Sequence, residues 1–235
     1  MIGHGGAAHA TNHSLAQQEL IIGTASHNDP TSRLLGAAAI AGCVVAVVLD
    51  FVGLGLSDRI GMIRHTISNL AAAKGGSWAD DIADLGLYAF VAAVLATTAG
   101  LARWRIDRLD WKLGAVMLVT VAVCVTLIAG YEAYTTGKGP MIHYKLVYVL
   151  GAAFPLAVLL TAGQFWCIDK RLGIALYAGG ALWAALAPLL FVVPTGWDGA
   201  YERVLAGLML GWFIIMGVMI WRDPDVVRHM PEEQR

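Results

Sequence analysis

The chain has 235 residues, 58% of them hydrophobic and 14% charged, with a formal net charge of −1. A soluble domain carries ~25% charged residues, so this composition excludes an ordinary water-soluble globule, and the near-zero net charge provides no field to draw nucleic acid. The three cysteines, Cys43, Cys124 and Cys167, lie far apart without metal spacing or a disulfide framework and read as small apolar packing residues.

Residues 1–33 carry His4, His9, His13 and His27 among Gly, Ala, Asn, Gln and Ser. The one apolar patch, Glu19-Leu20-Ile21-Ile22, is too short for a signal-peptide core. The composition predicts a disordered arm whose loosely spaced histidines read as solvated tail.

Six apolar runs follow: Leu34–Leu56, Ile82–Ala102, Leu113–Tyr131, Tyr144–Phe165, Leu172–Val193 and Val204–Trp221. A helix needs ~20 apolar residues to cross ~30 Å of hydrocarbon, and each run is of that order. The expected fold is all-α: a polytopic transmembrane bundle of six spans over residues 34–222, with a short tail at 223–235. Of the 16 Lys and Arg, ten fall in the arm, tail and alternate connections that include Arg103–Lys112, and six on the other side. Basic residues concentrate in cytoplasmic loops, so the expected orientation is N-in and C-in. Trp78, Trp104, Trp111, Trp166, Trp197 and Trp221 sit at run ends, as an interfacial aromatic belt requires.

The outer connections hold the unusual polar residues. The first, Ser57–Asp81, is long for a bare link. Ser57 or Asp58 can cap a helix in which Ile60, Ile63, Ile67 and Leu70 recur at spacings of three and four. That pattern predicts an amphipathic helix lying in the interface or over the bundle mouth, ended by Lys74-Gly75-Gly76-Ser77. Arg64, His65, Ser68 and Asn69 lie off its apolar stripe. His65, Ser68 and Asn69 share a face at i, i+3 and i+4. A His near a Ser is a nucleophile–base combination, although no glycine elbow frames Ser68; Arg64 suits a phosphate or snorkelling to the interface.

In the second connection, Glu132 ends one run and His143 opens the next, so topology places them near each other. Such a pair can orient a general base or, with His65, ligate a metal. Without a compact His-x-x-x-His spacing no metal site is predicted, and His65, Glu132 and His143 are only weak candidates. In the third, Asp198, Glu202 and Arg203 open the last helix, where first-turn acids favour the helix dipole. Arg203 could instead pair with Asp50 or Glu132, or clamp an anionic headgroup. Asp50 is the one strongly charged residue well inside a run. A carboxylate at that depth costs several kcal/mol unless paired or hydrated, which makes it a functional candidate. Pro155 and Pro188 are expected to kink their helices, and Gly207 and Gly211 form a Gly-x-x-x-Gly pair suited to close helix packing.

Three of these segments occur together in one family. Asp58-Arg59-Ile60-Gly61-Met62-Ile63-Arg64-His65-Thr66-Ile67-Ser68-Asn69-Leu70-Ala71 resembles the "ISxLA" segment after the first helix of the domain-of-unknown-function 998 family. Ile142-His143-Tyr144-Lys145, with Pro155 downstream, resembles its fourth helix, and Gly199-Ala200-Tyr201-Glu202-Arg203-Val204 the Glu-Arg opening of its last helix. The resemblance spans about residues 34–222 and implies a six-helix, bacterial-type integral membrane protein. The family has no settled activity, so it lends no catalytic residue.

The functional expectation is an outward-facing polar vestibule that binds a lipid or small amphiphile, or docks a partner. The candidate ligand residues are Asp50, Arg64, Asn69, Asp198, Glu202 and Arg203. The alternatives are a membrane-embedded hydrolase or transferase using His65, Ser68, Glu132 and His143, or an ion-coupled transporter using Asp50. The cofactor stays open: no mid-span Lys in the last helix suits a retinal-type chromophore, and only His65 and His143 lie near the spans for a haem. The expected partners are membrane lipids and either a second copy of the chain or another membrane protein, with no nucleic acid; the expected location is a cell membrane, the bacterial inner membrane in particular.

Overall fold

A computed structural model describes residues 30–71, 78–130, 142–194 and 196–222. The arm histidines, Lys74-Gly75-Gly76-Ser77, Glu132 and the tail at 223–235 lie outside the described residues. The helices are α1 (Pro30–Leu56), α2 (Ile67–Ala71), α3 (Trp78–Ala102), α4 (Leu109–Gly130), α5 (Ile142–Ile168), α6 (Lys170–Leu186) and α7 (Asp198–Arg222). A 3-10 segment, Ala187–Phe191, continues α6, and among the described residues there is no strand. Six of these elements are long and apolar enough to cross a membrane: α1, α3, α4, α5, α6 with its 3-10 extension, and α7.

The helices begin earlier than the apolar runs because polar residues fill their first turns. Trp78, Asp80 and Asp81 start α3, and Asp169 caps α6 by accepting from the Arg171 amide. With no water in hydrocarbon, each backbone group must be satisfied within its helix, so the helical pattern runs through to the interface. The outer surface is apolar as a lipid-facing wall must be: Val44, Val45, Val48 and Val52 of α1 are all exposed.

Helix α1 packs on α3 and α7, and α3, α4, α5 and α6 follow in sequence around the bundle; α6 touches α7 more lightly. Small residues permit the close crossings. At Gly36 a Cβ would stand 2.5 Å from the Gly217 carbonyl oxygen, so α1 and α7 meet backbone to backbone there. The Gly207–Gly211 pair is used differently, since a Cβ on either glycine would meet nothing within 4 Å.

The two ends of the bundle differ. At the Arg103–Lys112 end, Trp104, Ile106 and Trp111 are buried. Trp104 stacks on Trp111 at 5.7 Å, and Phe165 lies 5.8 Å from each. This basic connection therefore plugs the bundle, and Arg105 takes a left-handed φ of 54° to turn the chain tightly enough. The aromatic belt is thus made of Trp78, Trp166, Trp197 and Trp221, which are exposed, while Trp104 and Trp111 belong to the core.

At the opposite end, residues 57–66 form turns, and helix is confined to Ile67–Ala71. The apolar stripe does not become one continuous helix. Ser57 accepts from the Ile60 amide, the His65 ring accepts from the Gly61 amide, and Thr66 caps a fresh start through the Asn69 amide at 3.0 Å. Leu70 at the end of this flap is buried with Ala79 and Ala83 of α3. Pro188 acts by ending α6: the α-helix stops at Leu186 and tightens into the 3-10 segment. Two side chains tie this junction to α7. Tyr201 donates to the Leu186 carbonyl at 2.7 Å, and the Trp183 indole donates to the Leu205 carbonyl at 3.1 Å.

Candidate functional site

The first turn of α7 and the flap are stitched together. The Ala200 amide, an N-terminal helix donor without an intrahelical partner, donates to the Ile63 carbonyl at 3.1 Å. Gly199 lies directly against the His65 backbone, where any Cβ would overlap the His65 carbonyl. A glycine in the first turn of a helix is costly unless backbone must approach this closely, and here it must.

Arg203 is the centre of the assembly. Its Nε donates to Asp50 Oδ2 at 2.9 Å and its Nη2 to Asp50 Oδ1 at 3.1 Å, a two-pronged ion pair. Its Nη1 donates to the carbonyls of His65 at 2.8 Å, Met62 at 3.0 Å and Gly199 at 3.2 Å. The side chains of Arg203 and Asp50 are only 10% and 15% exposed. A charge at that depth needs a partner and filled hydrogen-bonding positions, and the planar guanidinium fork meets both needs at once. Arg203 therefore locks the flap carbonyls and the one in-span carboxylate of α1 into a single arrangement.

Glu202, beside it, accepts from the Ile67 amide at 2.6 Å and from the Ser68 hydroxyl at 3.4 Å. The Ser68 hydroxyl is thus turned to a carboxylate, while the His65 ring is turned back to Gly61. His65 precedes the helix that holds Ser68, so the two do not share a helical face. Asp198 accepts from the Gly196 amide at 3.1 Å, where Gly196 adopts a φ of 110°, and shapes the turn before α7. Arg64 is exposed on the flap, and Asn69 contributes its amide to the Thr66 cap. His143 is buried in the first turn of α5, 6.0 Å from Tyr144 ring to ring, and its Nδ1 has no partner among the described residues. Glu132, its expected neighbour, lies outside them. Among the described residues no group of three or more His, Cys, Asp or Glu is placed to share a metal ion.

Beneath the flap lies a cavity of about 580 Å³, within the ~300–1,000 Å³ of small-molecule sites. Its lining comes from the later turns of α1 and α4 and the earlier turns of α3, α5 and α7, so it occupies the flap half of the bundle. Along α7 it reaches from Glu202 to Leu210, about 12 Å of helix at ~1.5 Å per residue. The walls are apolar and aromatic, with Phe51, Phe90, Tyr148, Trp183 and Phe191 among them. Among the described lining residues the carboxyl and guanidinium groups are those of Asp50, Glu202 and Arg203, at the flap end with Ser68. Phe154 and Phe213, packed on Trp183 and Phe90 respectively, back the aromatic wall. Gly207 lines the cavity, which explains why nothing stands within 4 Å of the place a Cβ would occupy.

Sequence reasoning offered Asp50 as one of the possible partners of Arg203 and singled out Ser68 and Glu202 apart from that pair, and the structure brings the four to one place. It missed Gly199 and the carbonyls of Met62, Ile63 and His65. The Gly199-Ala200 pair at the start of an otherwise apolar helix was the available signal.

The family model for Protein of unknown function (DUF998) matches residues 40–219. No curated protein and no solved structure matches the chain.

Proposed function

From the premise that this chain belongs to the DUF998 family, whose function is unknown, we propose that it is a multi-pass membrane protein that holds a lipid or small amphiphile in the cavity under the flap. One observation carries the reading: a cavity of about 580 Å³ with apolar walls and the carboxyl and guanidinium groups of its described lining at one end. That is the polarity pattern of an amphiphile, with a tail site of Val, Leu and aromatic side chains and a head site at Asp50, Ser68, Glu202 and Arg203. The volume suits one small or single-chain molecule. The bacterial inner membrane with the flap facing outward is part of the same proposal, supported by the distribution of Lys and Arg.

Two other readings are less well supported. A His–Ser hydrolase would want His65 on the Ser68 hydroxyl, and that hydroxyl faces Glu202 instead. An ion carrier using Asp50 would want a carboxylate free to exchange its partner, and both Asp50 oxygens are held by Arg203.

The test is native mass spectrometry of the protein released from membranes in a mild non-ionic detergent. The expected result is a retained adduct of defined mass that is lost in Gly151→Leu and Gly207→Leu. Both positions line the cavity and have open space where a Cβ would go, so a side chain added there enters the site. A bare protein, or one retaining only another polypeptide, overturns the amphiphile reading in favour of a docking role.

A further inference from the structure

The charges at the head of the cavity do not balance. Asp50 and Glu202 are two carboxylates, and Arg203 is the one guanidinium among the described lining residues. The Arg203 fork is committed: Nε and Nη2 go to the two oxygens of Asp50, and Nη1 goes to three backbone carbonyls. Its positive charge is therefore neutralised by Asp50, and the guanidinium has little left to offer an anionic headgroup. Glu202 receives only an amide and a hydroxyl, from Ile67 and Ser68. A carboxylate in a low-dielectric wall is stable when a cation pairs with it; the neighbouring Arg203 acts on Glu202 through its charge, but its hydrogen bonds go to Asp50 and to carbonyls, so no cation among the described lining residues bonds Glu202 directly.

The aromatic walls of the chamber suit the same sign. Trp183, Tyr148 and Phe191 line the cavity, with the last two stacked at 4.5 Å. An aromatic face attracts a cation, the more so a desolvated one. A carboxylate with aromatic walls over an apolar chamber is chemistry that receives an ammonium on a hydrophobic tail.

Resting on the cavity reading above, we infer that the bound amphiphile is a cation, a primary or quaternary ammonium on an apolar tail, and that Glu202 is the side chain that receives it. The Asp50–Arg203 pair acts beside it as a fixed neutral wall. The ammonium has two sources, a free hydrophobic amine or the headgroup of a single-chain ethanolamine lipid. A lipid headgroup also brings a phosphate, which finds the Arg203 fork already occupied.

The full-length protein in neutral detergent is offered an equimolar mixture of dodecylamine, dodecanol and dodecanoate, and the bound fraction is read by native mass spectrometry. The three probes share a tail, so their ranking reads the head site alone. The expected ranking is amine over alcohol over acid, with the amine favoured at least tenfold over the acid. Glu202→Gln should bring amine and alcohol to parity, and Gly207→Leu should exclude all three. If the three bind equally, or the acid is preferred, and Gly207→Leu still excludes them, the cationic inference is overturned while the cavity reading stands. If none of them binds, both fall. The wild-type ranking needs no variant, so a Glu202→Gln protein that failed to fold would leave the inference open to refutation. A second competition, dodecylamine against lyso-phosphatidylethanolamine, separates the two sources: displacement by the lysolipid assigns a lipid headgroup, and its exclusion assigns a free amine.

Discussion

At the residue scale the decisive object is the Arg203–Asp50 pair. Removing one member leaves the other charged in the wall of the bundle, which costs about 3–5 kcal/mol. Arg203→Ala and Asp50→Asn are each expected to lower the unfolding midpoint in detergent by roughly 10 °C, at the few degrees per kcal/mol usual for a chain of this size. Arg203→Lys should rescue little, because one ammonium cannot hold two carboxylate oxygens and three carbonyls together. The double variant Asp50→Leu with Arg203→Met should recover most of the Asp50 loss while leaving the Met62 and His65 carbonyls without their donor. Strictly additive losses in that double variant would show that the pair is uncoupled and refute the account. Asp50 was legible as a candidate from sequence, since a charge amid Val and Leu stands out against the cost of burying it. Its pairing with Arg203 was legible only as one of three options for that arginine, because spacing along a chain does not say which faces of the first and last helices meet. The close approach of Gly199 to the His65 backbone has no polar side chain to announce it.

At the element scale the spans were readable because hydrocarbon thickness imposes a length, and the errors lie where something other than hydrophobicity sets the boundary. The 3-10 segment after Leu186 follows from Pro188, and a proline in a sequence does not reveal whether a helix will kink or end. The flap kept its apolar spacing but lost helical continuity, because Thr66 opens a second, shorter helix through its own cap. Two predictions concern these joints. Gly199→Ala should push the flap off α7, since its Cβ has no room beside His65, so tryptic cleavage after Arg64 should speed up at least tenfold with the spans still folded. Cleavage at the wild-type rate would mean that the flap is not held by this contact. Tyr201→Phe removes the donor to the Leu186 carbonyl, and a typical hydrogen bond contributes ~1 kcal/mol. A midpoint drop of roughly 2–4 °C is expected, and no drop would mean that the α6–α7 junction is held by packing alone.

At the scale of the whole molecule, the arrangement is a ring of helices plugged at one end by Trp104, Trp111 and Phe165 and hollow at the other under the flap. This asymmetry could not be read from the runs, because hydropathy is similar along helices that line a chamber and helices that fill one. Two short family-like segments, the one ending in Ile67-Ser68-Asn69-Leu70-Ala71 and the Glu202-Arg203 opening of α7, do meet in space, and that meeting defines the head of the cavity. The same geometry bears on the proposed orientation. Arg203 counted among the basic residues of the flap side, yet its charge is consumed by Asp50 inside the bundle, so it offers little attraction to a cytoplasmic leaflet. The Arg103–Lys112 connection keeps Arg105 exposed at the plugged end. At that end Arg108 and Lys112 are likewise paired, with Asp110 and Asp107, so pairing leaves the bias as the count of Lys and Arg has it, and the proposed outward flap rests on that count. Asp58→Cys and Arg105→Cys put single reporters at exposed positions of the two ends, and the native Cys43 and Cys124 are buried; replacing Cys167 with Ala removes the remaining background. In intact cells a membrane-impermeant maleimide should label the Asp58→Cys protein and spare the Arg105→Cys protein until the cells are opened. The reverse pattern would put the flap and the cavity mouth in the cytoplasm, where any amphiphile would have to arrive from the inner leaflet. Labelling of both in intact cells would mean that the two ends share a side, which six crossings with these connections do not allow, and would require the number of crossings to be redrawn.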